Sequence, residues 1–154
     1  MPHNLSIVLI KPEIPANTGT IGRLCLATNS ALHLVDPLGF EINDARVKRA
    51  GLDYWKHLKI IRHKNIEAFF DSLPPNSPTI FFSTKARKSI FDLNFKKGSY
   101  LIFGSETKGL GDELLENFSE NIFQIPQYDK RVRSLNLANA TSIAVYEAIR
   151  QLGP

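Results

Sequence analysis

Residues 100–115 read YLIFGSETKGLGDELL. An apolar run, Tyr100 to Phe103, is followed by three glycines, Gly104, Gly109 and Gly111, and then by the helix-forming Asp112-Glu113-Leu114-Leu115. Strand, glycine loop, helix is the order found where an α/β sheet cradles a phosphate. The loop does not follow either phosphate pattern. Gly104 and Gly109 have the spacing of a P-loop, but Leu110 and Gly111 stand where its lysine and hydroxyl residue belong. Gly109-Leu110-Gly111 is followed by Leu114 where a dinucleotide fingerprint has its third glycine. Glu106, inside the loop, would repel a phosphate and suits hydroxyls, amines or a cation. The glycines permit tight turns and close approach of a flat ligand.

Around this loop, short apolar segments alternate with helical ones. Strands are expected at Leu5–Ile10, Ala31–Val35, Ile60–Arg62, Thr79–Ser83, Tyr100–Phe103 and Asn121–Ile125. Helices are expected from Asn17 or Thr18, as cap, to about Thr28, and over Asp44–Gly51, Ile66–Ser72, Asp112–Phe118 and Asn136–Leu152. In the first, Ile21, Leu24, Cys25 and Thr28 form the inward stripe and Arg23 points away. In the last, Leu137, Ala140, Ala144, Val145 and Ala148 share a face that suits either the core or a close dimer contact. The alternation implies one α/β domain over residues 1–154, its sheet mostly parallel with helices on both faces. Pro74, Pro75 and Pro78 mark a surface loop rather than a linker.

Composition narrows the class. The chain has 154 residues, a net charge of +4 and one cysteine, Cys25. An internal disulfide and a cysteine-rich zinc site are therefore excluded, and a buried thiol in a reducing cytoplasm is expected. The four histidines lack metal-ligand spacing, so no metal is expected. No apolar run is long enough to span a membrane, and the start MPHNLSIVLIKPEIP does not read as a signal peptide. The charge is uneven. Residues 46–64 hold seven Lys or Arg against Asp53, and residues 105–120 hold five acids against Lys108. A basic stretch containing Tyr54 and Trp55 fits either a solvated face or contact with nucleic acid.

Two further loops carry polar groups at helix starts. KPEIPANTGTIGR (11–23) places Asn17 and Arg23 around a glycine-containing helix start. IFQIPQYDKRVRSLNLAN (122–139) ends a strand at Ile125-Pro126. It then runs through Lys130, Arg131 and Arg133 to Ser134, a natural helix cap, and Asn136.

Taken together, N17TGTIGR23, G104SETKGL110 and I125PQYDKRVRSLN136 match three ordered elements: Asn-x5-Arg, Gly-x-Glu-x-x-Gly-Leu and Ile-Pro…Ser-x-Asn. In this the chain resembles the SPOUT superfamily of RNA methyltransferases, in its 2′-O-ribose branch, over nearly its whole length. PEIPANTG (12–19) and KRAGLDYW (48–55) bring it nearest the members that act on the wobble nucleotide, C or U at position 34. It departs from them at Gln127-Tyr128, where Met and a small residue are usual.

The resemblance implies a C-terminal deep trefoil knot, which topology rules alone would have rejected. It also implies S-adenosyl-L-methionine as cofactor, a homodimer, and the anticodon stem-loop of certain leucine tRNAs as substrate. It assigns Phe82, Gly104, Glu106, Ile125 and Ser134 to the cofactor and Arg23, Ser134 and Asn136 to catalysis. Asn17, Arg23, Arg49, Lys130, Arg131 and Arg133 are assigned to the RNA. The same resemblance fits ribosomal RNA or another tRNA position as the target. A non-catalytic RNA-binding protein on this fold disagrees with the intact Asn17, Arg23, Glu106, Ser134 and Asn136. A small-molecule nucleotide enzyme disagrees with the missing phosphate fingerprints.

Overall fold

The computed structural model describes residues 3–153. Seven strands form one sheet: β1 (Ser6–Ile10), β2 (Ala31–Val35), β3 (Ile60–His63), β4 (Thr79–Phe82), β5 (Lys88–Ser89), β6 (Tyr100–Phe103) and β7 (Ile122–Gln124). The order across the sheet is β3-β2-β1-β6-β4-β7-β5. Every neighbouring pair is parallel. The central strands are β-branched and aromatic because both faces are covered. Against one face lie α1 (Pro15–Ala27) and α5 (Leu137–Leu152), with Ile21, Cys25, Ala144, Val145 and Ala148 in the shared core. Against the other lie α3 (Ile66–Ser72) and α4 (Asp112–Asn117), packing Phe69, Phe70, Leu114 and Leu115 on Val8, Phe81 and Ile102. A short α2 (Ala45–Gly51) packs on α1, with a 3-10 helix at Leu52–His57 following it.

The expected α/β class and flanking helices are borne out, and the observed sheet is parallel throughout. Local details differ. The first helix begins at Pro15, with Ile14 at its cap position and no side-chain cap from Asn17 or Thr18. Pro15 is pre-set for the first helical position, and its missing N–H is one the helix would leave unpaired. The last helix is capped by Asn136, not Ser134: Asn136 Oδ1 accepts from the amides of Ala138 (2.8 Å) and Asn139 (3.2 Å). The alanine face of α5 is consumed by the chain's own core, since Ala144, Val145 and Ala148 are wholly buried. The side of α5 left to solvent instead carries Ile143 and Tyr146. β5, two residues long, is an additional strand too short to register as a periodic segment.

Cys25 is buried as expected, and burial pushes its thiol up to about 12, where it is inert. Among the described residues no group of side chains could hold a metal ion, and no helix is long and apolar enough to cross a membrane.

His33 and His63 meet beneath α3, Nδ1 to Nε2 at 3.0 Å, in a box closed by Phe69 and Tyr100. Burial, then the neighbouring His63, then Lys59, bring His33 down to about 4. Its folded value lies below its ordinary one, so the unfolded chain binds the proton first. His33 therefore contributes stability above about pH 6.5 that is lost as pH falls towards 4, on the order of 2–3 kcal/mol. Urea unfolding of the wild type and of His33→Gln across that range tests this. The variant is expected to show the shallower slope.

Candidate active site

A cleft of about 540 Å³ opens at the C-terminal edge of β4, β6 and β7. This is where open parallel sheets bind ligands, beside the point at which the strand order turns. From β1 the chain winds outward to β2 and β3, then crosses to β4 on the far side of β6. Phe82 and Phe103, ending β4 and β6, stack at 4.9 Å between ring centres and form the floor. Leu137 and Ala140 of α5, with Leu110 and Ile125, complete an apolar wall, and Gln127, Arg133 and Ser134 supply a polar rim. The volume suits one small-molecule ligand.

The glycine loop is shaped by contact with itself. Ser105 and Gly109 exchange two backbone hydrogen bonds, 3.1 and 2.9 Å, closing residues 105–109 into a ring. Any side chain at Gly104 would overlap the Gly109 carbonyl and the Leu110 amide. Gly109 turns the ring with a φ of +65°. The amides of Ser105, Lys108 and Gly109 donate within the loop, and that of Thr107 donates to Glu13. These four amides are already paired within the protein.

Glu106 resolves the oddity of an acid in this loop. Its carboxylate accepts from the backbone N–H of Glu13 (2.8 Å) and Ile14 (2.7 Å) and from Asn17 Nδ2 (3.2 Å). It thus serves as the missing cap of α1, where a negative charge also favours the helix dipole. Asn17, 8% exposed, accepts in turn from Asn136 Nδ2 at 3.1 Å. Asn17, Glu106 and Asn136, one from each sequence motif, form a single chain of hydrogen bonds behind the cleft. It fixes α1, the glycine loop and α5 relative to one another. Asn136, though exposed, is engaged through both ends of its amide. Asn17 is turned towards Glu106 and Asn136 rather than outward to a polyanion.

The cleft brings together Asn17, Phe82, Gly104, Glu106, Ile125, Arg133, Ser134 and Asn136 of the residues expected at the site. Arg23, Arg49, Lys130 and Arg131 are not in its wall. Arg23 lies on the outer side of α1, 5.6 Å from the ring centre of the half-exposed Tyr54. Arg49 is exposed on α2. Arg131 is bound by Asp129, with guanidinium contacts of 2.6 to 3.1 Å. Lys130 is exposed on the same loop, beside Tyr128, which is 90% exposed. Glu13 and Thr107 were not singled out from sequence, since each reads locally as an ordinary solvated residue.

The open parallel sheet, with an aromatic-floored and polar-rimmed cleft at its C-terminal edge, defines an α/β protein built to take a small-molecule ligand there. The SpoU rRNA Methylase family model matches residues 4–146, and the chain belongs to that family. This bears out the resemblance read from the three motifs. The chain is 46% identical over 149 residues to the tRNA (cytidine(34)-2'-O)-methyltransferase of Saccharophagus degradans, covering 96% of each. It superposes with a TM-score of 0.94 and 43% identity on a structure described as "Structural insights into the 2-OH methylation of C/U34 on tRNA", covering 99% of this chain and 98% of that one. An AdoMet-bound rRNA methyltransferase from Sinorhizobium meliloti matches at TM-score 0.87 and 26% identity, over all of this chain and 59% of that one.

Proposed function

We propose that this chain methylates the ribose 2′-hydroxyl of the wobble nucleotide, C or U at position 34, in tRNA, using S-adenosyl-L-methionine. The observation that carries the reading is the hydrogen-bonded junction of the three motifs behind one cleft. The relatives named for this reaction, matching end to end, support the nucleotide. Leucine tRNAs are the proposed substrates, and the cytoplasm the proposed location.

The cleft residues fit such a cofactor. An aromatic floor and aliphatic wall accept a flat base, and loop amides already paired within the protein suit a ligand without phosphate. S-Adenosyl-L-methionine bound there would supply an activated methyl group on a sulfonium centre. Gly104 and Ile125 would hold its adenine through backbone groups, beside Phe82, and Ser134 would meet it at the rim. Glu106 acts by shaping the loop, and Asn136 by fixing the start of α5, so that nucleophile and methyl can be held in line.

Arg23 is assigned to the RNA. A guanidinium stays protonated and has no acceptor, so it is not a free base. From its place outside the cleft it clamps a phosphate of the bound RNA and so holds the ribose for attack. Arg23→Lys keeps the charge and loses the fork. Its kcat is expected to fall at least tenfold, about 1.4 kcal/mol in the barrier. Wild-type turnover would remove the clamp. Arg49, Lys130, Arg131 and Arg133 extend the RNA surface, with Asn17 holding the helix that carries Arg23.

Residues 1–154 act as one domain, paired in a homodimer through an outer surface that includes Ile143 and Tyr146 of α5. A trefoil knot is proposed for the C-terminal part. What supports it is the placing of β7 between β4 and β5, which residues 83–87 join directly. α4 precedes β7 on one face of the sheet and α5 follows it on the other, so the chain passes beneath that connection.

The test is transfer of labelled methyl from S-adenosyl-L-methionine to total tRNA from cells lacking wobble methylation, with the nucleotide mapped by mass spectrometry. Label on the ribose of nucleotide 34 is expected. Label elsewhere, or cofactor binding without transfer to tRNA, would overturn the assigned substrate.

A further inference from the structure

The contacts between the start of α1 and the glycine loop run in both directions. Glu106 reaches from the loop to the amides of Glu13 and Ile14. Glu13 reaches back: its Oε1 accepts from the Thr107 amide at 3.0 Å and the Thr107 hydroxyl at 2.6 Å. Two adjacent residues on one side thus meet two adjacent residues on the other. The backbone of Glu13 is also held from behind. Gly39 donates its amide to the Pro12 carbonyl at 2.9 Å, and a side chain at Gly39 would press on the Glu13 backbone. Glu13 is therefore a short arm on a fixed base. The Thr107 hydroxyl and amide hold its carboxyl below the usual range, so it is ionised at neutral pH. It lies outside all three motifs and does not line the cleft.

We propose that Glu13 is a positioning residue for methyl transfer: with Thr107 it straps the glycine loop to the start of α1, so that the cofactor loop and the helix bearing Arg23 move as one body. The kinetic part of this inference rests on the proposed methyltransferase reading; the strap itself does not. One oxygen, Oε1, takes both bonds from Thr107. The arm therefore requires an acceptor and not a charge, and glutamine, through its carbonyl oxygen, can replace glutamate. Alanine cannot.

The experiment compares wild type, Glu13→Gln and Glu13→Ala. Amide hydrogen exchange over residues 104–110 of the ligand-free protein is the first readout. Exchange is expected to rise about tenfold in the alanine variant and to return to within about twofold of wild type in the glutamine variant. Methyl transfer to tRNA is the second. For alanine, kcat is expected to fall about tenfold while the KM for tRNA stays within about twofold, with glutamine again rescuing. Unchanged exchange in Glu13→Ala would overturn the strap. Equal impairment of both variants would show that charge matters and not the acceptor, and a loss confined to the KM for tRNA would make Glu13 an RNA contact. Either result overturns the proposal. If the wild type transfers no methyl group, the proposed function fails, and the exchange data alone decide the strap.

Discussion

Gly104→Ala is expected to fold and to lose methyl transfer, by about 100-fold or more in kcat/KM, equivalent to about 2.7 kcal/mol in the transition state. The loop ring closed by Ser105 and Gly109 lies directly against residue 104. The neighbours that a methyl group would strike are the Gly109 carbonyl and the Leu110 amide, which are backbone and cannot rotate aside. The ring must open or β6 must shift, and either change moves Leu110 out of the cleft wall. Because β6 is central to the sheet, opening the ring is the cheaper response. The loss should therefore appear in cofactor affinity and rate rather than in folding. Gly98→Ala is the control. It replaces a glycine just before the same strand, one whose φ is +78° and which has nothing near enough for a methyl group to strike. It is expected to be somewhat less stable and fully active. Circular dichroism, cofactor titration and methyl-transfer kinetics on both variants decide the matter. A Gly104→Ala chain with wild-type cofactor affinity would show that the ring tolerates a side chain.

Glu106→Gln is expected to be as damaging as Glu106→Ala, although it is nearly isosteric. Each oxygen of the Glu106 carboxylate faces a backbone donor, from Glu13 on one side and Ile14 on the other. A glutamine amide must point its NH2 at one of them, placing donor against donor. Loss of a charge-assisted bond and the stranding of an amide together cost about 2 kcal/mol. In a chain of this size that corresponds to a fall of about 4–8 °C in Tm. Activity is expected to fall at least tenfold with it, since the same carboxylate orients Asn17 and, through it, Asn136. Calorimetry and kinetics on the two variants provide the check, and a wild-type Gln variant would refute the trans-capping role. The contrast with Glu13 is sharp. Two acids that face each other across one junction differ in whether glutamine can replace them, because one uses a single oxygen and the other uses both.

What the sequence revealed and what it hid follow one division. Periodicity located β2, α3 and β6 to the residue, because each is bounded by its own local signals. The start of α1 was misplaced because its cap is supplied by Glu106, 92 positions away from Ile14, and no local rule looks that far. Ser134 was preferred over Asn136 as a cap on residue type, whereas the structure places Asn136 where it also meets Asn17. The missing phosphate lysine of the glycine loop is a local fact and is legible in sequence. Glu13 stands within the PEIPANTG stretch, but no local rule assigns its side chain a partner at Thr107, 94 positions away. Arg23 was grouped with the cleft because the motif contains it. Six residues of helix after Asn17 carry it to the outer surface beside Tyr54.

The position of β7 has a consequence for how the polypeptide is made. Strands β4 and β5 are close in sequence but never pair; the slot between them is filled by residues 122–124. While the chain emerges from the ribosome, the inner edge of β4, Thr79-Ile80-Phe81-Phe82, stays open until some forty further residues have been translated. An open, apolar edge of that kind invites pairing with another chain. Slow translation, or premature termination before residue 122, would leave nascent chains sticky in a way that the finished protein is not, and a chaperone that holds the growing chain would have its greatest effect in that interval.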